Sequence, residues 1–438
     1  MPQWYTSWWG PRRPLQHRCS FCDATRPKLL RCAGCRLVRY CSREHQKRDW
    51  WVHRPICRIT CQHRTKLEIE ENAVRHATLD YKTPANAFET HVGVFGETES
   101  TRDYMEARRE LGNVTRRACT LDSVTEMLEH YQGMIRLCHA DSMFVSNHVP
   151  ELMLRLDRDQ ECYDFIKWWD QIQLDIEYDW SDMDAPFQNI KNADVMEDPE
   201  YMIRDNWSDV GFCAGVLLLK FKMLIDIRNI KVVRKVVAGQ LPVELGREVE
   251  KHAVRSPLSL RFVDLPYNDL SQAEHMLLVH CEKLGWGIVR SNRLFMSELA
   301  YLQERETGCP GGGHPCEAHE TVAREIIKVY SSWRETEGAL ELLRAAFIRT
   351  QDNSPDAFVG YPGYAGRQPA LIEKEPGDTS TDEEFTRLWN YLKLIVIDSS
   401  YLGPPDDRPS QRRSEKEPLV EDDDVEFVKK FEDQTVSQ

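Results

Sequence analysis

Long uninterrupted apolar runs are missing from this chain of 438 residues. The most apolar stretch, Val216–Ile225, is interrupted by Lys220 and Lys222 and stops well short of the ~20 residues that span a bilayer. A secretory leader is missing too, because MPQWYTSWWGPRR holds no continuous apolar stretch before a small-residue cleavage site. These two absences predict an intracellular protein, in the nucleus or the cytoplasm, with no membrane partner. The Asn-x-Ser/Thr triplets at Asn113 and Asn206 then carry no glycosylation signal. Fourteen cysteines in a reducing compartment read as ligands or buried thiols, not disulfides. There is no phosphate-cradling glycine loop, no nucleophile elbow and no HExxH helix. Nothing in the sequence motivates catalysis, and the chain is expected not to be an enzyme.

Apolar residues, at 41%, are plentiful enough for a packed core. The length allows about two to four domains. Charge is distributed unevenly. The formal net charge is −14, yet Met1–Lys66 holds fifteen Lys and Arg against three acids, Asp23, Glu44 and Asp49. A basic head on an acidic body can touch a polyanion, or it can dock on its own acidic body.

The head is also where cysteine and histidine crowd together. Cys19, Cys22, Cys32, Cys35, Cys41, His45, His53 and Cys57 fall in order, the first four as two Cys-x-x-Cys pairs. A tight turn lets such a pair aim two thiolates at one ion, and zinc takes four N or S ligands in a tetrahedron. Eight ligands make two closed sites with no open position, so neither zinc is expected to be catalytic. Cys41–His45 and His53–Cys57 are i, i+4 pairs that a short helix places on one face. A head this short cannot bury enough apolar surface to fold alone, so the metal must supply the missing stability.

The pattern C-x2-C-x9-C-x2-C-x4-Y-C-x3-H-x7-H-x3-C resembles the MYND-type zinc fingers. Tyr40 before Cys41, Ser42 after it, and Gln46 and Trp50 between the histidines reinforce the likeness. His45 departs from the family, which more often has cysteine there; imidazole serves zinc equally well. The resemblance implies a cross-braced arrangement, with one zinc on Cys19, Cys22, Cys41 and His45 and the other on Cys32, Cys35, His53 and Cys57. It also implies a protein-docking module for proline-containing peptides. Trp50 is then the expected peptide-facing aromatic, with Gln46 one turn earlier; the plainer reading has Trp50 plugging the finger's small core. Trp51 is expected to project to a different side, against the body.

From Leu67 the chain reads as helix after helix, giving a mainly α fold. Arg102–Ala118, Ser123–His139, Val149–Leu156 and Gln160–Gln173 form two helix-turn-helix units, weakly similar to tetratricopeptide-like repeats. Asp122 is expected to cap the second helix and Pro150 to sit in the first turn of the third. Further helices are expected at Trp207–Arg228, Pro242–Ala253, Ser271–Arg290, Arg293–Arg305, Glu320–Glu335, Glu337–Thr350 and Thr381–Ile397. The domain plan is an N-terminal extension over 1–18, the finger over 19–57, the helical body over 67–400 and a disordered charged tail over 401–438. Trp168–Trp169 reads as core, and His139 and His148 as packing or surface residues. Cys309, His314, Cys316 and His319 offer a second zinc-compatible cluster, for which a glycine-rich connector with incidental thiols is the plainer reading.

A zinc-binding docking adaptor, with a possible place in transcriptional regulation, is the function these features favour. Two rivals stand beside it. The basic head could contact nucleic acid, with binding that weakens steeply in salt. SET-type lysine methyltransferases carry this finger inside their catalytic domain, but only eighteen residues precede Cys19, and the nearest match to their cofactor strand, Ser146–Pro150, lies in a helical run.

Overall fold

The computed structural model describes residues 15–77, 84–95, 99–204, 208–238, 240–292, 294–305, 322, 324–340 and 343. The finger opens with an antiparallel pair, β1 (Leu30–Arg31) and β2 (Arg39–Tyr40), in which Leu30 faces Tyr40 and Arg31 faces Arg39. Helix α1 (Arg43–Arg75) follows at once. The Ser42 side chain caps it by accepting the His45 amide at 3.2 Å, satisfying one of the helix's orphan N–H groups. Pro55 removes one intrahelical donor, yet helix continues through it. Beyond Pro55 no glycine or proline intervenes up to Arg75. The helix is therefore 33 residues long, about 50 Å at 1.5 Å per residue. No break separates Cys57 from Leu67: the finger's short helix, as expected from spacing, is the first part of a rod that enters the body.

That rod packs along α3 (Glu99–Thr115), and a four-residue turn, α2 (Ala87–Thr90), lies beside it. Helix α3 packs on α4 (Leu121–Leu137), α4 on α5 (Val149–Arg155), and α5 on α6 (Asp159–Ile172). Neighbour-on-neighbour packing of this kind is what repeat-like helical bodies show. The α3–α4 contact is close: a Cβ on Gly112 would lie 2.6 Å from Tyr131 Cε1. Asn113 accepts the Tyr131 hydroxyl at 2.8 Å, an internal role for that residue. The cap of α4 corrects the expectation. Thr120 accepts the Ser123 amide and Ser123 returns the bond, while Asp122 lies inside the first turn with other partners. Pro150 sits in the first turn of α5 as expected.

The second half is organised around α7 (Val210–Val237), which packs on α9 (Tyr267–Ser291) and α8 (Val243–Ala253). Helices α10 (Phe295–Arg305) and α11 (Tyr330–Glu335) follow, α11 returning to pack on α5. The lysines that interrupt the apolar run are buried with it, and each is paired. Lys222 meets Asp159 at 2.8 Å and the Leu154 carbonyl at 3.2 Å. Lys220 donates to the carbonyls of Val195 at 2.8 Å and Glu197 at 3.1 Å. These bonds fasten the irregular segment between α6 and α7 to the core, because a buried ammonium without acceptors would be costly. The helix expected at 207–228 thus runs from Val210 to Val237 and is buried along most of its length. Trp168 and Trp169 are core as read, packed with Tyr178, Trp180 and Phe187. His139 stacks on Phe187 with centroids 3.8 Å apart.

Among the described residues, strands occur only in the finger. No described helix is long and apolar enough to cross a membrane. The helix expected at 381–397, most of the one at 337–350, the tail and the Cys309–His319 cluster lie outside the described residues.

Candidate metal centre

Two elements position the ligands. The β1–β2 pair holds the Cys32–Cys35 turn, where the Cys32 amide bonds the Val38 carbonyl at 2.9 Å and Arg36 takes a left-handed φ of 61°. Helix α1 then presents His45, His53 and Cys57 at turn intervals. The eight residues picked out by spacing converge into two sets, Cys19, Cys22, Cys41 with His45, and Cys32, Cys35, Cys57 with His53. Within each set the ligand atoms all lie within 4.8 Å of one another. The interleaved pairing implied by the family resemblance is the pairing found.

In the first centre His45 Nδ1 is 3.0 Å from Cys41 Sγ and 3.6 Å from Cys19 Sγ. In the second, His53 Nε2 is 3.4 Å from Cys32 Sγ and 3.5 Å from Cys35 Sγ, with Cys32 and Cys57 sulfurs 3.9 Å apart. The first centre is the more open, with Cys22 exposed, while all four ligands of the second are buried. Aromatic rings close around both: Phe21 lies 4.9 Å from His45, and Tyr40 meets His53 edge-on at 6.0 Å. The buried Tyr40 hydroxyl is held by Asp49 at 2.7 Å.

The donor set is chemically suited to zinc, and the proton balance shows why. Burial pushes the Cys19 thiol up, but the Cys22 and Cys41 amides and His45 outweigh it and bring it down to about 6. Hydrogen bonds from Cys35 and Cys57 drive Cys32 far below the thiol range, while contact with Cys32 and Cys35 drives Cys57 far above it. Burial opposes charge on His53, yet the Cys32 and Cys35 sulfurs raise it to about 10. Ligands crowded this closely cannot all ionise by themselves; a dication at each centre lets every thiol do so and leaves both imidazoles neutral. Each centre is a Cys3His set of the closed kind, so two Zn2+ per chain act structurally, with no position open to a substrate.

The finger is also clamped to the body. Arg39 grips Asp122 through Nε at 2.8 Å and Nη2 at 2.9 Å, with Arg31 at 3.6 Å and His17 at 3.7 Å from the same carboxylate. Arg64 bridges the two parts, donating to the Cys35 carbonyl at 2.7 Å and pairing with Glu126 at 2.6 Å. Lys66 pairs with Glu110 at 2.8 Å. Of the two fates open to a basic head, docking on its own acidic body is realised by these residues. These acidic partners on α3 and α4 hold the finger on the body; of them the sequence offered Asp122 only as a helix cap.

The family model of the MYND finger matches residues 19–57. Residues 19–57 are a MYND finger. A curated relative, SET domain and MYND-type zinc finger protein 6 of Schizosaccharomyces pombe, is 41% identical over 44 residues. That match covers 10% of this chain and 9% of the relative, so it is confined to the finger. No solved structure matches the chain. MYND fingers commonly mediate protein interactions. Gln46 and Trp50 lie half-buried one turn apart on α1, while Trp51 and Val52 beside them are 78% and 80% exposed. Trp51 therefore points to solvent and not to the body.

Proposed function

We propose that the protein is a non-enzymatic adaptor whose MYND finger docks a proline-containing segment of a partner protein, with a place in transcriptional regulation. The observation that carries this reading is the aromatic surface at the start of α1. A zinc-locked scaffold has no folding need for an indole and a branched side chain left 78% and 80% exposed, and open apolar surface on a rigid frame marks an interaction site. Trp50 and Gln46 lie half-buried one turn apart on the neighbouring face of α1, the indole offering a flat face for a proline ring and the amide a bond to peptide backbone. Body and finger are joined by α1 and its ion pairs, so the body presents the finger in a fixed orientation.

The test is fluorescence anisotropy of a labelled proline-rich peptide titrated with the full chain at low and high salt, beside a labelled DNA duplex. Saturable peptide binding that persists in salt and is lost in Trp50→Ala supports docking. Duplex binding that collapses with salt, without peptide binding, moves the function to nucleic acid, because phosphate contacts are released by counterions.

A further inference from the structure

Helix α1 carries three metal-type side chains at successive i, i+4 positions: His53, Cys57 and Cys61. The first two serve the second zinc centre. Cys61 belongs to neither four-residue set, yet it packs against the buried core of the finger and its side chain meets the Cys57 thiol. Gly34, in the middle of the Cys32–Cys35 turn, fixes where it stands. A Cβ on Gly34 would lie 3.1 Å from Cys57 Sγ, 3.5 Å from Cys61 Sγ and 4.0 Å from Cys32 Sγ. Three sulfurs, from the turn and from two turns of α1, thus surround one point. Cys35, whose side chain also bonds Cys57, closes the circle.

The helix supplies the rest of the argument. The second centre takes a pair of α1 ligands spaced i, i+4, and Cys57–Cys61 repeats that spacing one turn further along. His53 and Cys61 are eight residues apart, about 12 Å along the axis. A tetrahedral ion already bound by Cys32, Cys35 and Cys57 has one position left, so it cannot hold both. The two residues are therefore alternatives, not joint ligands.

We infer that the second centre has two registers. In one, Cys32, Cys35 and Cys57 are completed by His53; in the other, the same three are completed by Cys61 from the next turn of α1, giving an all-thiolate site. The second register carries one more negative charge than the first, since a thiolate replaces a neutral imidazole. Arg64, already bonded to the Cys35 carbonyl at 2.7 Å, lies at the edge where that charge develops. Sulfur-only sets favour soft ions, so the second register is the one for thiophilic divalent metals such as cadmium, and a reserve for zinc. Cys61 is half-buried, which gives the second register a route to solvent that buried His53 lacks.

The experiment uses the full chain, with zinc measured per chain after desalting. His53→Ala is expected to retain two zinc ions, and His53→Ala/Cys61→Ser only one. A His53→Ala chain that already holds one ion overturns the inference. Should His53→Ala fail to fold, cadmium decides it. Loaded with two cadmium ions, the wild-type chain has seven thiolates on metal, three at the first centre and four at the second. Cys61→Ser, still holding two ions, then loses about one-seventh of the sulfur-to-metal charge-transfer absorption. Equal absorption in the two proteins overturns the inference.

Discussion

Replacing Asp122 by alanine tests whether the finger is held by the body. Its carboxylate accepts two bonds from Arg39 and faces Arg31 and His17, and its side chain is only 8% exposed. Hydrogen bonds to charged groups contribute about 1.5–3 kcal/mol. Arg39 keeps some solvent, at 18% exposure, which screens the pair below the ~3–5 kcal/mol of a wholly buried one. Asp122→Ala should therefore cost the finger about 2–3 kcal/mol, and the coupling to Arg39 should be about 1.5 kcal/mol. Amide hydrogen exchange reads this locally, through the Cys32 N–H on the Val38 carbonyl and the Ser20 N–H on the Arg39 carbonyl. Their protection should fall about 30-fold or more, since 1.4 kcal/mol is tenfold. Amides of α9 should be unchanged. A cycle of Asp122→Ala, Arg39→Ala and the double variant isolates the pair. Additivity to within about 0.5 kcal/mol would refute the clamp.

Three further outcomes follow from the packing. Gly112→Ala places a methyl 2.6 Å from Tyr131 Cε1 and should lower stability by about 1–3 kcal/mol, seen as a lower urea midpoint. Asp159→Asn leaves buried Lys222 with Asp157 at 3.6 Å and should cost about 2–3 kcal/mol, whereas Lys222→Met removes the cation that faces both buried carboxylates, Asp157 and Asp159, and should cost about 3–5 kcal/mol; thermal midpoints rank them. His148 is pushed from 6.5 down to about 4, by burial first and Arg116 second. The unfolded chain then binds the extra proton between those values, so the His148 contribution to stability should be constant above about pH 6.5 and be lost as pH drops toward 4, beside a like contribution from His280. His148→Gln should flatten that fall in urea midpoints across the range, with Arg116, Glu151 and Lys328 left in place.

The two zinc centres were legible because all eight ligands lie within one short stretch, while which four share an ion was implied by the family resemblance and not by the spacing. Helices α4, α6 and α9 were legible for a similar reason, since an apolar face repeats within each segment. What was not legible depends on partners distant in sequence. Asp122 has the sequence look of a cap, but Arg39, on another element, claims its carboxylate and Thr120 caps instead. Lys220 and Lys222 look like breaks in an apolar run until the Val195 carbonyl and Asp159 are placed opposite them. The half-buried state of Trp50 and the exposure of Trp51 depend on which side of α1 the rest of the finger covers, which periodicity does not specify.

The joint between finger and body is where sequence and structure differ most in consequence. Read from spacing, the finger is a separate unit, and Cys32→Ser unfolds it without touching the helical body. In the structure α1 belongs to both parts. Loss of the second zinc removes the ligand bonds to His53 and Cys57, frees the Cys35 carbonyl from its fixed place, and so weakens the Arg64 bridge to Glu126. Beyond that point Thr60 and Val74 are buried and α1 packs along α3, so the body itself retains the helix's far half. Cys32→Ser should therefore abolish amide protection from Leu30 to Cys57, reduce it in α4 near Asp122 and Glu126, and leave α7 and α9 untouched. Unaltered protection in α4 would mean that the ion pairs across the joint carry no energy. Loss in α9 would mean that the zinc centres hold the whole body together.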